Sequence, residues 1–219
     1  IQIKFLKGSL YKWGLFLYLD SMHHSEIINY YIKKYNLKSY LEIGTRNRAD
    51  NFNKIQAPEK ICIDPDIIAY ADFVLTSDEF FRICNKKFDI IFVDGLHEGH
   101  QVYKDIQNSL KHLNQGGVII CHDINPAKFE NGYDYEEYDG TGIWNGDCWK
   151  GFVKYRYTSD YECYVLPEDE ADVGVIDTNV KSTINEKMYF NLGELTFNDL
   201  NNNRNEWLNI KTLEEVGIL

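Results

Sequence analysis

Four short apolar runs, each closed by a glycine, an acid or a histidine, constrain this chain more than any other feature. Ser39–Ile43 stops at Gly44, 61–63 at Asp64, Phe88–Val93 at Asp94, and Val118–Cys121 at His122 and Asp123. Strands that are apolar throughout and separated by helices belong to a parallel sheet covered on both faces. Residues 24–36 carry Ile27, Ile28, Tyr31 and Ile32 at helical spacing behind Ser25 as N-cap. Residues 100–113 do the same with Val102, Tyr103, Ile106, Leu110 and Leu113, and Asn114–Gly117 offers the chemistry of a helix stop. Phe73–Leu75 reads as a weaker strand, and Glu162–Val165 with Val173–Ile176 as a late, hairpin-like pair. A helix is expected from Cys148 to Tyr155 and another near the C-terminus. The expected class is α/β, a Rossmann-like, doubly wound sheet, mostly parallel. No linker divides it, so residues 1–219 form one domain, with an N-terminal extension over 1–24, an acidic loop or lid over 126–147 and a C-terminal extension over 181–219.

Composition removes several partners. The net charge of -11, with no basic stripe, argues against nucleic acid, which is bound through clustered Lys and Arg. The apolar stretch Trp13–Leu19 ends at Asp20, well short of the roughly 20 residues of a membrane helix, so no membrane association is expected. The five cysteines are scattered without a CxxC pair, which suits reduced core thiols and a cytoplasmic location. A homo-oligomer stays open.

The closing residues of the strands carry the chemistry, because open α/β sheets bind ligands at the carboxyl ends of their strands. Gly44 allows a tight turn there, and 20 positions later Asp64 ends the next strand, where an acid can accept from two ribose hydroxyls. Nicotinamide and S-adenosylmethionine folds share that pairing. A dinucleotide fingerprint needs GxGxxG, however, and this chain has one glycine in the turn. Glu42 adds a carboxylate close to the turn, suited to the sulfonium and ammonium of adenosylmethionine. A plain strand–helix turn followed by a surface acid gives the same spacing without any cofactor.

Tyr40-Leu41-Glu42-Ile43-Gly44, Ile63-Asp64-Pro65, Thr76-Ser77-Asp78-Glu79-Phe80-Phe81, Phe92-Val93-Asp94-Gly95-Leu96-His97, Gly116 to Asp123, and Gly146-Asp147-Cys148-Trp149-Lys150 appear in that order. The ordered set resembles the class I S-adenosylmethionine-dependent methyltransferases of the macrocin O-methyltransferase-like family, many of them linked to sugar or polysaccharide modification. The resemblance spans roughly residues 25–180. It implies a seven-stranded sheet with an antiparallel last strand. It also implies that Glu42, Gly44 and Thr45 line the methionine end of the cofactor, that Asp64 holds the ribose, and that Ser77 and Asp78 lie near the adenine. Arg46-Asn47-Arg48-Ala49-Asp50 stands where the family often has a second glycine.

Methyl transfer to a hydroxyl needs the acceptor positioned and its proton removed, by a general base or with help from a divalent metal. Asp94 and Asp123 end neighbouring strands, so their carboxylates can converge on one cation, with His122 as a third ligand. Oxygen donors suit magnesium, and a histidine widens the choice to transition metals. Asn125 is a further oxygen donor. By resemblance Asp94 also borders the cofactor, and His97 is the candidate base beside it; a backbone-bonded helix-start histidine is the alternative. Asp123 as a cap of the following turn is the alternative for that residue. His23, His24, His100 and His112 receive no role. Tyr133, Tyr135 and Tyr138 offer an acceptor lid. The expected activity is O-methylation of a saccharide or small hydroxylated metabolite. The competing readings are a nicotinamide-dependent oxidoreductase and a non-catalytic binding module on the same fold.

Overall fold

The computed structural model describes residues 22–127, 144–168 and 172–219. Its sheet has six strands: β1 (Ser39–Ile43), β2 (Glu59–Ile63), β3 (Phe88–Val93), β4 (Leu113–Cys121), β5 (Tyr161–Leu166) and β6 (Val173–Lys181). Five α-helices accompany them among the described residues: α1 (His24–Tyr35), α2 (Ser77–Ile83), α3 (Gly99–Lys111), α4 (Cys148–Arg156) and α5 (Phe197–Leu208). The strand order is β2-β1-β3-β4-β6-β5. The first four strands in that order are parallel, and β6 runs antiparallel to both β4 and β5.

Alternation along the central strands sends successive side chains to opposite faces. Tyr40, Ile90, Phe92, Val118 and Ile120 pack with Ile27, Ile28, Tyr31 and Ile32 of α1. Leu41, Ile43, Ile91, Val93, Ile119 and Cys121 pack on the other face with Phe80 and Phe81 of α2, Val102 and Ile106 of α3, Trp149 and Phe152 of α4, and Leu200 and Trp207 of α5. The sheet is thus covered on both faces, which explains why its strands are apolar throughout.

The described residues form six strands, not the seven expected. Phe73 makes a single bridge to Ile63, and Phe73 and Val74 are 41% and 45% exposed. The Asp72 carboxylate takes the Cys62 amide at 3.0 Å, and the capping box of Thr76 and Glu79 starts α2 directly afterwards. The segment has neither a buried face nor the length to extend a ladder. Two boundaries also move. The cap of α1 is His23, whose Nδ1 accepts the Ser25 amide, so Ser25 lies inside the helix. Asn114–Gly117 lies within β4 rather than at a helix stop, because α3 already ends at Lys111 with His112 as its cap, and Leu113 pairs with Phe88. The five cysteines carry free thiols, four of them buried, as the scattered spacing implies. None of the described helices is long and apolar enough to cross a membrane.

Candidate active site at the strand switch point

The chain leaves β1 outward to β2 and returns on the other side of β1 as β3, so the order reverses between β1 and β3. Crevices at such reversals are where open α/β sheets take ligands. Ile43 is level with both Ile63 and Val93, and Val93 with Cys121. The next residue of each strand is therefore Asp64, Gly44, Asp94 and His122, side by side in sheet order.

Backbone contacts lock this row. Gly44 donates its amide to Ile63, Asp94 to Ile43, and His122 to Val93, at 2.9, 2.9 and 3.0 Å. Gly44 has φ +83°, and a Cβ there would stand 1.9 Å from the Asp94 carbonyl oxygen. The glycine is required by the close approach of the end of β3 as well as by the turn. Arg46, where a second glycine was missing, takes a left-handed φ of 46° itself. Its amide and that of Asp66 each bond one oxygen of Asp64 at 2.8 Å. That carboxylate shapes the turn and keeps lone pairs for further donors.

Glu42 is 1% exposed and accepts from Tyr40 Oη and from Asn51 Nδ2, the latter at 2.6 Å. Burial pushes its carboxyl up to about 7, against the lowering effect of those hydrogen bonds. Asn51 Oδ1 is buried beside it without a hydrogen-bond partner. A buried acid near its midpoint and an unpaired acceptor together fit a cationic ligand above them. Ser77 and Asp78 open α2 and are held by α3: Gln101 donates to Ser77 Oγ at 3.2 Å and Lys104 to Asp78 at 2.5 Å. Gln101 also bonds Asp105, whose carboxyl burial raises to about 6. Thr45 is buried next to Gly44.

Asp94, His97, His122 and Asp123 do come together. His97 lies 3.5 Å from Asp94 through Nε2 and 3.3 Å from Asp123 through Nδ1. His122 Nδ1 lies 3.2 Å from each aspartate. Burial alone would lower both imidazoles, but the aspartates outweigh it and raise them, His122 strongly. Burial would likewise raise Asp94, and the charge and hydrogen bonds of His122 and His97 hold it below the usual carboxylate range. Asp123 adopts a left-handed φ of 60° and accepts from Asn145 Nδ2, so it serves the cluster rather than capping a turn.

The end of the 126–147 loop closes over His97, a contact that carries no signal in the sequence. The Trp144 ring stacks on His97 at 5.1 Å, and Asp147 donates its amide to the His97 carbonyl at 3.2 Å. Gly146 has φ +60°, and a Cβ there would meet that carbonyl oxygen at 1.9 Å. Likewise without signal are Tyr40 and Asn51 beside Glu42, and His24 and Glu168 beside His122. Asn125 is occupied elsewhere, donating to Asp172 at 2.7 Å and accepting from Arg204. Tyr133, Tyr135 and Tyr138 lie outside the described residues.

Residues 41–124, which hold most of β1 and all of β2, β3 and β4, match the model of a methyltransferase domain. No curated protein matches the sequence. Among solved structures, the chain is similar to an O-methyltransferase from Bacillus cereus solved with S-adenosylhomocysteine, with TM-score 0.52, 11% identity, and coverage of 70% of this chain and 80% of that one. It is also similar to the O-methyltransferase TomG from Streptomyces achromogenes, involved in tomaymycin synthesis and solved with S-adenosylmethionine, with TM-score 0.51, 12% identity and coverage of 70% and 78%. The plantazolicin methyltransferase BamL, solved with S-adenosylhomocysteine, aligns at TM-score 0.50 and 13% identity over 71% and 83% of the two chains. At these identities the likeness carries the fold. The chain therefore has the class I methyltransferase fold, and its residues 41–124 match the model of a methyltransferase domain.

Proposed function

We propose that this protein is an S-adenosylmethionine-dependent O-methyltransferase of the macrocin type, acting on a saccharide or small hydroxylated metabolite. The observation that carries the reading is the level row of Asp64, Gly44, Asp94 and His122 across the switch point, with an acid–imidazole cluster at one end of it. In this reading Asp64 receives the ribose, and Gly44 and Thr45 border the methionine end. Ser77 and Asp78 face the adenine side. Glu42, sealed beneath the turn, acts on the ligand's positive charge through its field. Asp94 borders both cofactor and acceptor. The cofactor supplies an electrophilic methyl group.

The carboxylates of Asp94 and Asp123 fit a divalent ion, with His122, the third residue of the set, in reach of both. Their oxygen chemistry favours magnesium. Such an ion would lower the acidity barrier of the acceptor hydroxyl. His97, held between the two aspartates and covered by Trp144, then accepts the hydroxyl proton. The aspartates favour its imidazolium, so it becomes a base where their charge is offset.

The test has two parts. Calorimetry with adenosylmethionine should show binding, and NADH should show none. On a panel of hydroxylated acceptors, release of adenosylhomocysteine should fall by about 10²–10⁴ in His97→Ala and Asp94→Ala, the range for loss of a general base, with cofactor affinity kept. Binding of NADH alone, or full activity in both variants, would overturn the assignment.

A further inference from the structure

His122 projects to the same face of the sheet as Val118 and Ile120, the face that α1 covers. There it meets two buried residues from distant parts of the chain: His24, the first residue of α1, and Glu168, two positions after β5. His24 is 7%, His122 9% and Glu168 6% exposed. His24 Nδ1 lies 2.9 Å from Glu168 Oε1, and His122 Nε2 lies 3.7 Å from Glu168 Oε2. Donor atoms of the three residues all fall within 4.8 Å of one another. The two rings meet edge to face at 4.8 Å. Phe92, itself 1% exposed, stacks on His24 at 5.4 Å and closes an apolar wall beside them.

The decisive atom is His122 Nε2. It is buried and has no hydrogen-bond partner. The opposite nitrogen, Nδ1, is held 3.2 Å from both Asp94 and Asp123. A ring that donates Nδ1–H to a carboxylate presents the Nε2 lone pair on its other side, which is how metal-bound histidines are oriented. That lone pair points to a second imidazole and a carboxylate.

We propose that His24, His122 through Nε2, and Glu168 form a buried site for a divalent transition ion, zinc in the first instance. Two imidazole nitrogens and one carboxylate oxygen form a common zinc set, and tetrahedral bonds of about 2.0–2.1 Å place donors roughly 3.3 Å apart, inside the 2.9–4.8 Å spread found here. The donor set is nitrogen-rich, and magnesium would be disfavoured in it. The site is distinct from the cluster of Asp94, His97 and Asp123. It assigns His122 a hydrogen-bonding role there and leaves that pair to hold its own ion by oxygen. The ion would tie α1 to the ends of β4 and β5. It does not depend on methyl transfer, so it can stand or fall apart from the proposed activity.

Cobalt(II) is the probe, added to full-length, tag-free, chelator-treated protein. One equivalent should bind and give the intense visible bands of four-coordinate cobalt, and zinc should displace it. Affinity should fall by at least about 100-fold in His24→Ala and in Glu168→Gln, more than the loss typical of an outer-shell partner. It should be kept in His97→Ala. Glu168→Gln preserves the shape of the side chain, and far-UV circular dichroism checks that each variant is folded. Weak six-coordinate bands in the unaltered protein, no binding at all, or binding insensitive to His24 and Glu168 would overturn the proposal. If affinity were lost in Asp94→Asn and kept in His24→Ala and Glu168→Gln, the ion would belong to the aspartate cluster, and the proposal would fall.

Discussion

Glu42 shows how one residue couples stability to ligand charge. Its carboxyl sits near 7 in the fold against 4.5 when free, so the folded state holds the proton more tightly than the unfolded state. A raised folded pKa means that its favourable contribution is complete below about 4.5 and is lost as pH climbs through about 7. A shift of that size corresponds to roughly 3 kcal/mol. Glu42→Gln should therefore raise stability at pH 8 by about 2–3 kcal/mol in urea unfolding, and by nothing near pH 4. The same variant should weaken adenosylmethionine more than adenosylhomocysteine, which lacks the sulfonium. Equal weakening of both would separate Glu42 from the cofactor's charge.

At the scale of elements, two joints hold the crevice in shape. Helix α1 is fastened to β5 by the hydroxyls of Tyr31 and Tyr164, 2.5 Å apart in the core. Tyr31→Phe strands the second hydroxyl and should cost about 1–2 kcal/mol by chemical denaturation with an unchanged m-value. The loop before α4 is the other joint. Gly146→Ala pushes a methyl group into the His97 carbonyl, so it should lower turnover by at least about tenfold through misplacement of His97. Adenosylhomocysteine affinity should stay within about twofold, since that loop contacts His97 rather than Gly44, Asp64 or Ser77.

The elements also show which parts could be read from sequence. β1, β3 and the closing residues Gly44, Asp64, Asp94 and Asp123 were legible because fully buried parallel strands are continuous apolar runs and their ends are abrupt. The antiparallel pair β5 and β6 was legible because 163–166 and 173–176 are buried apolar runs as well. Phe73–Leu75 looked like a strand because its residues are apolar, yet composition does not reveal whether a sheet edge has a partner. Asn114–Gly117 has helix-stop residues, but a strand bulge uses the same ones. Glu168, His24 and Asn51 carried no local signal. Each becomes part of a site only through contacts between 9 and 144 positions away in the chain.

For the whole molecule, the prediction is thermodynamic. A ligand that binds only the folded state stabilises it by about 2.7 kcal/mol at 100 times its Kd. For a chain of 219 residues this should raise Tm by roughly 5–10 °C. Differential scanning fluorimetry with adenosylhomocysteine tests it, and a flat response at saturating ligand would contradict cofactor binding in the crevice.

The contact between Gly44 and the Asp94 carbonyl has a mechanical consequence. Two backbones that touch with no side chain between them have no slack to absorb a displacement, so a nudge on the turn after β1 is passed on to the end of β3. Seating a nucleoside against that turn would thereby set the position of Asp94, the acid proposed to border the acceptor, and the two halves of a transfer reaction would be aligned by one rigid seam rather than by separate adjustments.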